Sequence, residues 1–453
     1  MVSKSRFYPE VGMHRTSKRL FCFLLSLLLA APAPYAAAYD ENGELFVYGE
    51  SSVYYEWVKA VEAQADDPHG VFPRLEDVAS SVPPADGYAQ TSGYVNTVTG
   101  DRGDLSLDCA SAILIDQKSG AVLYEKDPDE KMPIASVTKV MTLLIIMEEI
   151  DSGNLGYDDI ITVGENAASM GGSQAYLEVG EKISCRDLLK AVVVSSANDA
   201  AVAFAEHISG SVEAFTARMN KKAAELSMTS TTFLNATGLD DTDVNVSSAR
   251  DVAAMSAALL SHEDITQFTT IWMDSIRGGK FGLVNTNKLV RFFPGATGLK
   301  TGYTSRAGFC VSASAKKDDL HLIAVVLKGE TSDKRFADAK TLLNYGFANY
   351  ACYVPKVDIP DSVKVCGGKK QSAALTADLS GILCKKSDIP RMTCGVTAAQ
   401  ELVAPVDKNQ AAGSVVIKIG DDVVSSRPIV TTEEVEKLTF GDILREIVIR
   451  LAG

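Results

Sequence analysis

The residues that would point to metal or nucleic-acid chemistry are scarce in this sequence. Histidine occurs 5 times and tryptophan twice in 453 residues, and no two cysteines stand in a C-x-x-C spacing. A structural zinc site, which draws on such cysteine and histidine sets, is therefore not expected. An excess of base is missing too: 44 Lys and Arg face 58 Asp and Glu, a formal charge of −14. That balance excludes the electrostatic footprint of a nucleic-acid binder. No apolar run reaches the roughly 20 residues of a membrane span. Glycine (34) and proline (15) stay near average abundance, which rules out collagen-like and wholly disordered chains. What is present is an ordinary globular composition, 46% hydrophobic and 23% charged. The length gives a soft expectation of about three domains.

Charge and hydropathy are most uneven at the N-terminus. Lys4, Arg6, Arg15, Lys18 and Arg19 stand against one acid, Glu10, and an apolar run from Leu20 to Ala31 follows. Pro32, Pro34 and Ala36-Ala37-Ala38 come next. A charged segment, a short apolar stretch and an A-x-A exit predict a secretory signal over 1–38, cleaved after Ala38, with Met13 as an alternative start. An uncleaved anchor helix is the competing reading, disfavoured because the run is short. Removing 1–38 leaves an exported chain with a charge of −18 and seven cysteines. Cys352, Cys366, Cys384 and Cys394 allow two disulfides in any of three connectivities. Cys109, Cys185 and Cys310 lie in or beside apolar segments, where buried free thiols are expected.

Residues 39–104 hold 13 acids against Lys59, Arg74 and Arg102. They read as an acidic, self-repelling flexible spacer with one short helix around Tyr54–Gln64. Regular patterning begins at Leu105. Ser111–Asp116 and Ala121–Lys126 are β-rich runs about Gln117-Lys118-Ser119-Gly120, a hairpin signal. Ile134–Ile150 predicts a helix buried all round, and helical patterning continues through Cys185–His207, Val212–Ser227 and Ser248–Leu260. Strand-like runs follow at Gly298–Thr304, Gly308–Ala315 and Leu320–Leu327, with Lys316-Lys317-Asp318-Asp319 turning between the last two. Thr331-Ser332-Asp333 caps a final helix that presents Phe336, Ala339, Leu343 and Phe347 at helical spacing. Strands at both ends with helices between predict an α+β domain over 105–350, its antiparallel sheet assembled from both termini. Short runs at Ser362–Cys366, Glu401–Val403, Ser414–Ile419 and Val423–Val430 predict a small β-rich domain over 351–432. The last segment, 433–453, reads as an amphipathic helix with Phe440, Leu444, Ile447, Val448 and Leu451 on one face. That face suits either a membrane interface or packing on its own domain.

Chemistry enters at Ser136-Val137-Thr138-Lys139. A Ser and a Lys three residues apart on a helix share a face, so the amine reaches the hydroxyl. A serine nucleophile needs a neighbouring base, and lysine serves as one when burial or a second cation lowers its pKa. The helix N-terminus adds backbone N–H groups facing the reaction centre. Ser196-Ala197-Asn198 then interrupts an apolar helical segment with polar groups that need partners, as in a lined cavity. Lys300-Thr301-Gly302 ends a β-run, where the glycine admits close approach and the lysine supplies charge. Singly, each has a plain structural reading: a helix start with a surface lysine, an interhelical turn, a strand end. In this order they match the motif set of penicillin-binding proteins and class A β-lactamases, with Ala197 replacing the middle Asp.

The segments around these motifs, 135–142, 196–201 and 293–302, resemble the low-molecular-weight penicillin-binding proteins. These are serine-type D-alanyl-D-alanine carboxypeptidases, and their middle motif tolerates a small residue where Ala197 sits. Met219-Asn220, Thr232-Phe233 and Gly238-Leu239-Asp240 resemble that family as well, and Val403-Ala404-Pro405 does so more loosely. The likeness runs from about Cys109 to the end, and residues 39–104 find no counterpart in it. Ile276-Arg277-Gly278-Gly279-Lys280 is similar to the Gram-positive, sporulation-associated branch. The resemblance implies an α+β, β-lactamase/transpeptidase-like catalytic domain followed by a small β-rich domain. It implies that Ser136 attacks the penultimate D-Ala carbonyl of a peptidoglycan stem peptide ending in D-Ala-D-Ala. Lys139 would take the proton, Ser196 would relay one to the departing D-Ala, and Lys300 would hold the local field. Asn198 would bind the substrate amide and Thr301 its carboxylate, with Gly302 beside them. The backbone N–H groups of Ser136 and Tyr303 would form the oxyanion hole. Many relatives carry His where Tyr303 stands, which changes the leaving-group contacts. β-Lactams are the implied inhibitors, the cell envelope the implied location, and no metal, organic cofactor or nucleic acid is implied.

Three alternatives share part of this pattern. Class A β-lactamases carry a Glu four residues before an Asn; with Asn235 as that Asn, the position holds Thr231, which predicts inhibition by penicillin rather than turnover. A D,D-endopeptidase uses the same machinery on cross-links. A non-catalytic peptidoglycan-binding protein is disfavoured by intact Ser136, Lys139, Ser196 and Lys300. A Ser-His-Asp hydrolase finds no support, because none of His69, His207, His262 and His321 has a recognisable catalytic setting.

Overall fold

The computed structural model describes residues 36–39, 45–48, 105–240 and 244–452. The predicted signal as far as Tyr35, the helix around Tyr54–Gln64 and most of the acidic stretch lie outside the described residues. The chain divides into two units, Met1–Asp86 and Gly87–Gly453. In the first, Ala36–Tyr39 pairs antiparallel with Leu45–Tyr48, a strand-favouring run of aliphatic and aromatic residues. That hairpin overlaps both the predicted cleavage point and the start of the stretch expected to be irregular.

The second unit is built on a five-stranded antiparallel sheet ordered β3-β4-β5-β1-β2. Its strands are β1 (Ser111–Asp116), β2 (Val122–Lys126), β3 (Ala296–Thr304), β4 (Gly308–Lys317) and β5 (Leu320–Gly329). The N-terminal hairpin joins the later meander where β1 meets β5, with Ile113 opposite Val325, so the sheet is assembled from both ends as expected. Every residue of β1 is buried, and parity decides the face. Ile113 and Ile115 enter one core, Ala112 and Leu114 the other.

The longer helices before the C-terminal region are α1 (Lys139–Asp151), α2 (Cys185–Val194), α3 (Asn198–Ser209), α4 (Val212–Glu225), α5 (Ala249–Leu260) and α6 (Ser332–Asn349). α5 lies on β1 and β5, α1 lies on α5, and α6 covers the opposite sheet face. Side chains of Ser184, Ser211, Ser248 and Thr331 cap α2, α4, α5 and α6 by accepting from backbone N–H groups. Residues 139–147 of α1 are buried all round, as predicted.

Two departures from the sequence reading shape the site. The helix expected over Ile134–Ile150 opens as a 3-10 turn, Ala135–Thr138, with Ala135 at φ +48°. The helix expected over Cys185–His207 breaks between α2 and α3, with Ser196 at φ +64°. An unexpected hairpin, Met273–Ile276 with Phe281–Val284, turns through Arg277, Gly278 and Gly279, all with positive φ.

Beyond α6 come β6 (Tyr350–Tyr353), β7 (Ser362–Cys366), β8 (Ser372–Ala377), β9 (Ile382–Lys385), β10 (Met392–Ala398), β11 (Glu401–Val403), β12 (Ala411–Ile419) and β13 (Asp422–Thr431). β10-β12-β13-β8-β7-β11 form one sheet, and β6 pairs with β9. Val363, Val365, Leu375, Val415, Ile429 and Val435 belong to a core of its own. All seven described cysteines are free thiols, so none of the three disulfide connectivities forms. Cys352 stands opposite Leu383 and Cys384 opposite Ala351, which turns those two side chains to opposite faces. The last helix, α7 (Phe440–Ala452), begins later than Glu433 because Val435 and Lys437 bridge to Val406 and Gly368. Thr439 and Asp442 cap it reciprocally: the Asp442 N–H donates to the Thr439 hydroxyl and the Thr439 N–H to the Asp442 carboxylate. Among the described residues no helix is long and apolar enough to cross a membrane.

Candidate active site

Ser136 sits in the 3-10 turn that leads into α1. Two glycines let backbone close over that turn. A Cβ on Gly238 would stand 1.9 Å from Ala135 O, and one on Gly302 would stand 2.7 Å from Ile134 O and 3.0 Å from Ser136 N. Gly302 therefore admits close approach as predicted, and what approaches is the serine-bearing turn itself.

Lys139, one turn on, is fully buried, and its Nζ reaches three oxygens: Ser136 Oγ at 3.1 Å, Asn198 Oδ1 at 2.6 Å and Thr237 O at 2.7 Å. Burial and the nearby Lys300 ammonium push its amine well below the ordinary lysine value, while Asp199 opposes them. The Thr237 carbonyl was not legible as a site group. Asn235 Oδ1 places it by accepting from the N–H groups of Thr237 and Gly238 at 3.1 and 2.7 Å. Asn245 Nδ2 ties this loop to Thr138 Oγ1 at 2.9 Å, and Thr142 Oγ1 donates to Ala236 O at 2.7 Å. The signal was an Asn two residues before Thr237-Gly238, the pattern of an Asx turn. Thr231 gives its hydroxyl to Asp251 Oδ2 at 2.7 Å.

Asn198 opens α3 and is gripped on both sides. Its N–H donates to Ser173 O and its Nδ2 to Gly171 O, each at 2.7 Å, while Oδ1 accepts from Lys139. One side-chain N–H and one lone pair remain for a substrate amide. Ser196, two residues earlier, is buried, and no protein group among the described residues pairs with its hydroxyl. Asp199, which sequence reasoning missed, is buried and accepts from the N–H groups of Ala175 and Leu177 at 3.0 and 3.1 Å.

The third motif lies on β3, the edge of the sheet. Lys300 is buried and donates to Thr301 O at 3.0 Å, and Thr301 Oγ1 donates to Thr286 Oγ1 at 2.7 Å. Burial, and then the positive charge of Arg335, push Lys300 down to about 7. Arg335, buried on α6, donates to Gly302 O at 3.0 Å and Cys310 O at 3.1 Å. Its guanidinium lies 4.7 Å from the Phe336 ring centre. Nothing in its helical spacing distinguished Arg335 from a surface residue. Tyr303 is exposed and stacks on Phe309 at 4.3 Å. The structure thus joins Ser136, Lys139 and Asn198 by hydrogen bonds and sets Gly302 against them, whereas Ser196 and Tyr303 make no hydrogen bond to that group. Among the described residues no cluster of His, Cys, Asp or Glu is arranged to hold a metal ion.

Comparison with known proteins identifies the family. Residues 96–331 match the D-alanyl-D-alanine carboxypeptidase family, and residues 354–437 match the C-terminal domain of penicillin-binding protein 5. The chain is 40% identical over 349 residues to the D-alanyl-D-alanine carboxypeptidase DacF of Bacillus subtilis, covering 76% of this chain and 90% of that one. Penicillin-binding protein 5 from Haemophilus influenzae superposes with a TM-score of 0.61 at 30% identity, over 74% of this chain and 99% of the other. Penicillin-binding protein D2 from Listeria monocytogenes, solved in an ampicillin-bound form, does so at 0.50 and 33% identity, over 54% of this chain and all of the other. A likeness that spans both the helical site and the β-rich region behind it places the chain in the D-alanyl-D-alanine carboxypeptidase family, serine hydrolases of the low-molecular-weight penicillin-binding type.

Proposed function

We propose that Ser136 is the nucleophile and Lys139 its base. The observation that carries this is the buried amine 3.1 Å from the serine hydroxyl. Burial and Lys300 lower the basicity of the amine; in its neutral form it donates to Asn198 Oδ1 and Thr237 O and turns its lone pair to Ser136. Ser136 Oγ bonds to the carbonyl carbon of the penultimate D-Ala as its proton passes to Lys139 Nζ. The oxyanion lies between the N–H groups of Ser136 and Tyr303, donors worth about 2.7–4 kcal/mol each. Collapse breaks the C–N bond. The proton travels from Lys139 through Ser196 to the leaving amine, and D-alanine departs. Water then attacks the ester, yields its proton to Lys139 and restores the Ser136 hydroxyl. Lys300 and Thr301 receive the substrate's terminal carboxylate and Asn198 its amide.

β-Lactams acylate the same serine. With the Thr231 hydroxyl directed to Asp251, no carboxylate stands at that position to activate a deacylating water, so penicillin inhibits. The peptidoglycan stem peptide as substrate places the working protein outside the cytoplasm, with 1–38 as its export signal. Phe440, Ile443, Leu444, Val448 and Ile449 of α7 are exposed, which supports a helix lying on a membrane surface.

The test is D-alanine release from a peptide ending in Lys-D-Ala-D-Ala, by the protein and by Ser136→Ala. Release by the parent alone is the expected result. Equal release by both removes Ser136 from the mechanism, and release by neither moves the reading to cross-link cleavage or to binding.

A further inference from the structure

The hairpin Met273–Ile276 with Phe281–Val284 plays no part in the chemistry above, yet its tip reaches the loop that holds Asn198. Arg277, at φ +54° in the tip, directs its guanidinium at that loop. Nη1 donates to Ala175 O and Nη2 to Tyr176 O, each at 2.9 Å. Nε and Nη2 also bind the two Glu181 oxygens at 2.6 and 2.9 Å. The Arg277 N–H donates to Asp187 Oδ2 at 3.0 Å, which fastens the tip to α2. From the other side, Asp199 holds the N–H groups of Ala175 and Leu177. The peptide groups around Tyr176 are therefore gripped through carbonyls by one ion and through amides by another. Tyr176 sits at φ +55°, a conformation that a bulky side chain keeps only where its surroundings over-determine it. A few residues earlier the same loop supplies the Gly171 and Ser173 carbonyls that accept from Asn198. A Cβ on Gly172 would stand 2.8 Å from Asn198 Nδ2, so loop and amide are in contact.

We propose that Arg277 is a positioning residue for the carboxypeptidase reaction. By clamping the Tyr176 segment against Glu181 it fixes the loop whose carbonyls orient Asn198, and through Asn198 the Lys139 amine that faces Ser136. The proposal rests on Lys139 being the base. A guanidinium fork meets two carbonyls and a carboxylate at once; an ammonium on a flexible stem does not.

The test compares the full-length protein with Arg277→Ala, Arg277→Lys and Ser136→Ala, with competent sites counted by titration with labelled penicillin. Per titrated site, Arg277→Ala is expected to lower kcat about tenfold and to leave KM within about twofold. Arg277→Lys recovers part of the loss, and if the alanine variant does not fold it carries the test alone through a smaller kcat loss, about threefold, with KM unchanged. The acid limb of penicillin acylation moves to lower pH, because a displaced Asn198 no longer accepts from the Lys139 ammonium. The charged groups that act on Lys139, Lys300 and Asp199, are unchanged in these variants. A parent-like kcat per site overturns the proposal, as does a loss carried wholly by KM with an unmoved acid limb. Ser136→Ala separates the two readings. If it is active, the base assignment fails; if it is inactive while the Arg277 variants match the parent, only the clamp fails.

Discussion

Around Ser136, charge is buried. Lys139, Lys300, Arg335 and Asp199 are each no more than 7% exposed, and each is met by backbone or amide groups. In the C-terminal β region charge stays outside, where Lys364–Glu401, Lys369–Glu436 and Lys370–Glu433 pair at the surface, except at Arg427, which is buried and donates to Asp378 O and Ser380 O. An exposed pair contributes about 0–1 kcal/mol, whereas a buried ion costs several kcal/mol unless fully partnered. The contrast shows where this fold accepts a cost for a shifted proton equilibrium. Burial lowers Lys139 and Lys300 from the ordinary lysine value, whereas the paired surface lysines keep their contact with water.

Breaking the buried set has the largest consequence. Lys139→Ala is expected to slow penicillin acylation by about a thousandfold, within the range for losing a general base; stopped-flow acylation measures it. Gly238→Ala comes next. Its Cβ would meet Ala135 O at 1.9 Å in a backbone at φ +81°, so a loss of more than about 2 kcal/mol in thermal unfolding is expected. The pH profile sharpens the comparison without disturbing the fold. Lys300 is cationic below its value of about 7 and neutral above it. On the proposed role of Lys300 in carboxylate binding, kcat/KM is expected to fall as pH rises through about 7, and Lys300→Arg is expected to move that limb upward. A limb that stays in place in the arginine variant separates Lys300 from the titration. Lys369→Ala gives the smallest effect, a stability change within about 0.5 kcal/mol and unchanged D-alanine release. A larger loss there denies the contrast between the two regions.

The three motifs were legible because each is short, and the residue types declare the chemistry. Ser136 and Lys139 need only one helical turn to meet, and the sequence spacing supplies it. The strands of the catalytic sheet were legible because buried strands read as apolar runs. β8 and β10 were not recognised, since Ser372-Ala373-Ala374 and Cys394-Gly395 offer small residues without strong β preference, nor was β9, whose four residues are too few to show a pattern. The break at Ser196 escaped because the apolar pattern continues across it, and positive φ leaves no mark on a serine. Thr237, Asp199, Arg335 and Arg277 escaped because each acts through one backbone carbonyl, a few N–H groups or a fork reaching across the fold.

By itself the sequence determined which side chains stand in the three motifs, the apolar run that makes β1 a buried strand, and the caps that start α2, α4, α5 and α6. Those properties depend on residue identity and on neighbours within a few positions. The tertiary structure alone decided that Asn198 and Thr237, 59 and 98 residues from Lys139, supply its hydrogen-bond acceptors. It alone decided that Gly302 closes on the Ser136 turn and that Arg335 lies close enough to Lys300 to lower its pKa. Hydrogen bonding and Coulomb repulsion act over a few ångströms of space, and only the folded chain brings residues this far apart in sequence to that range.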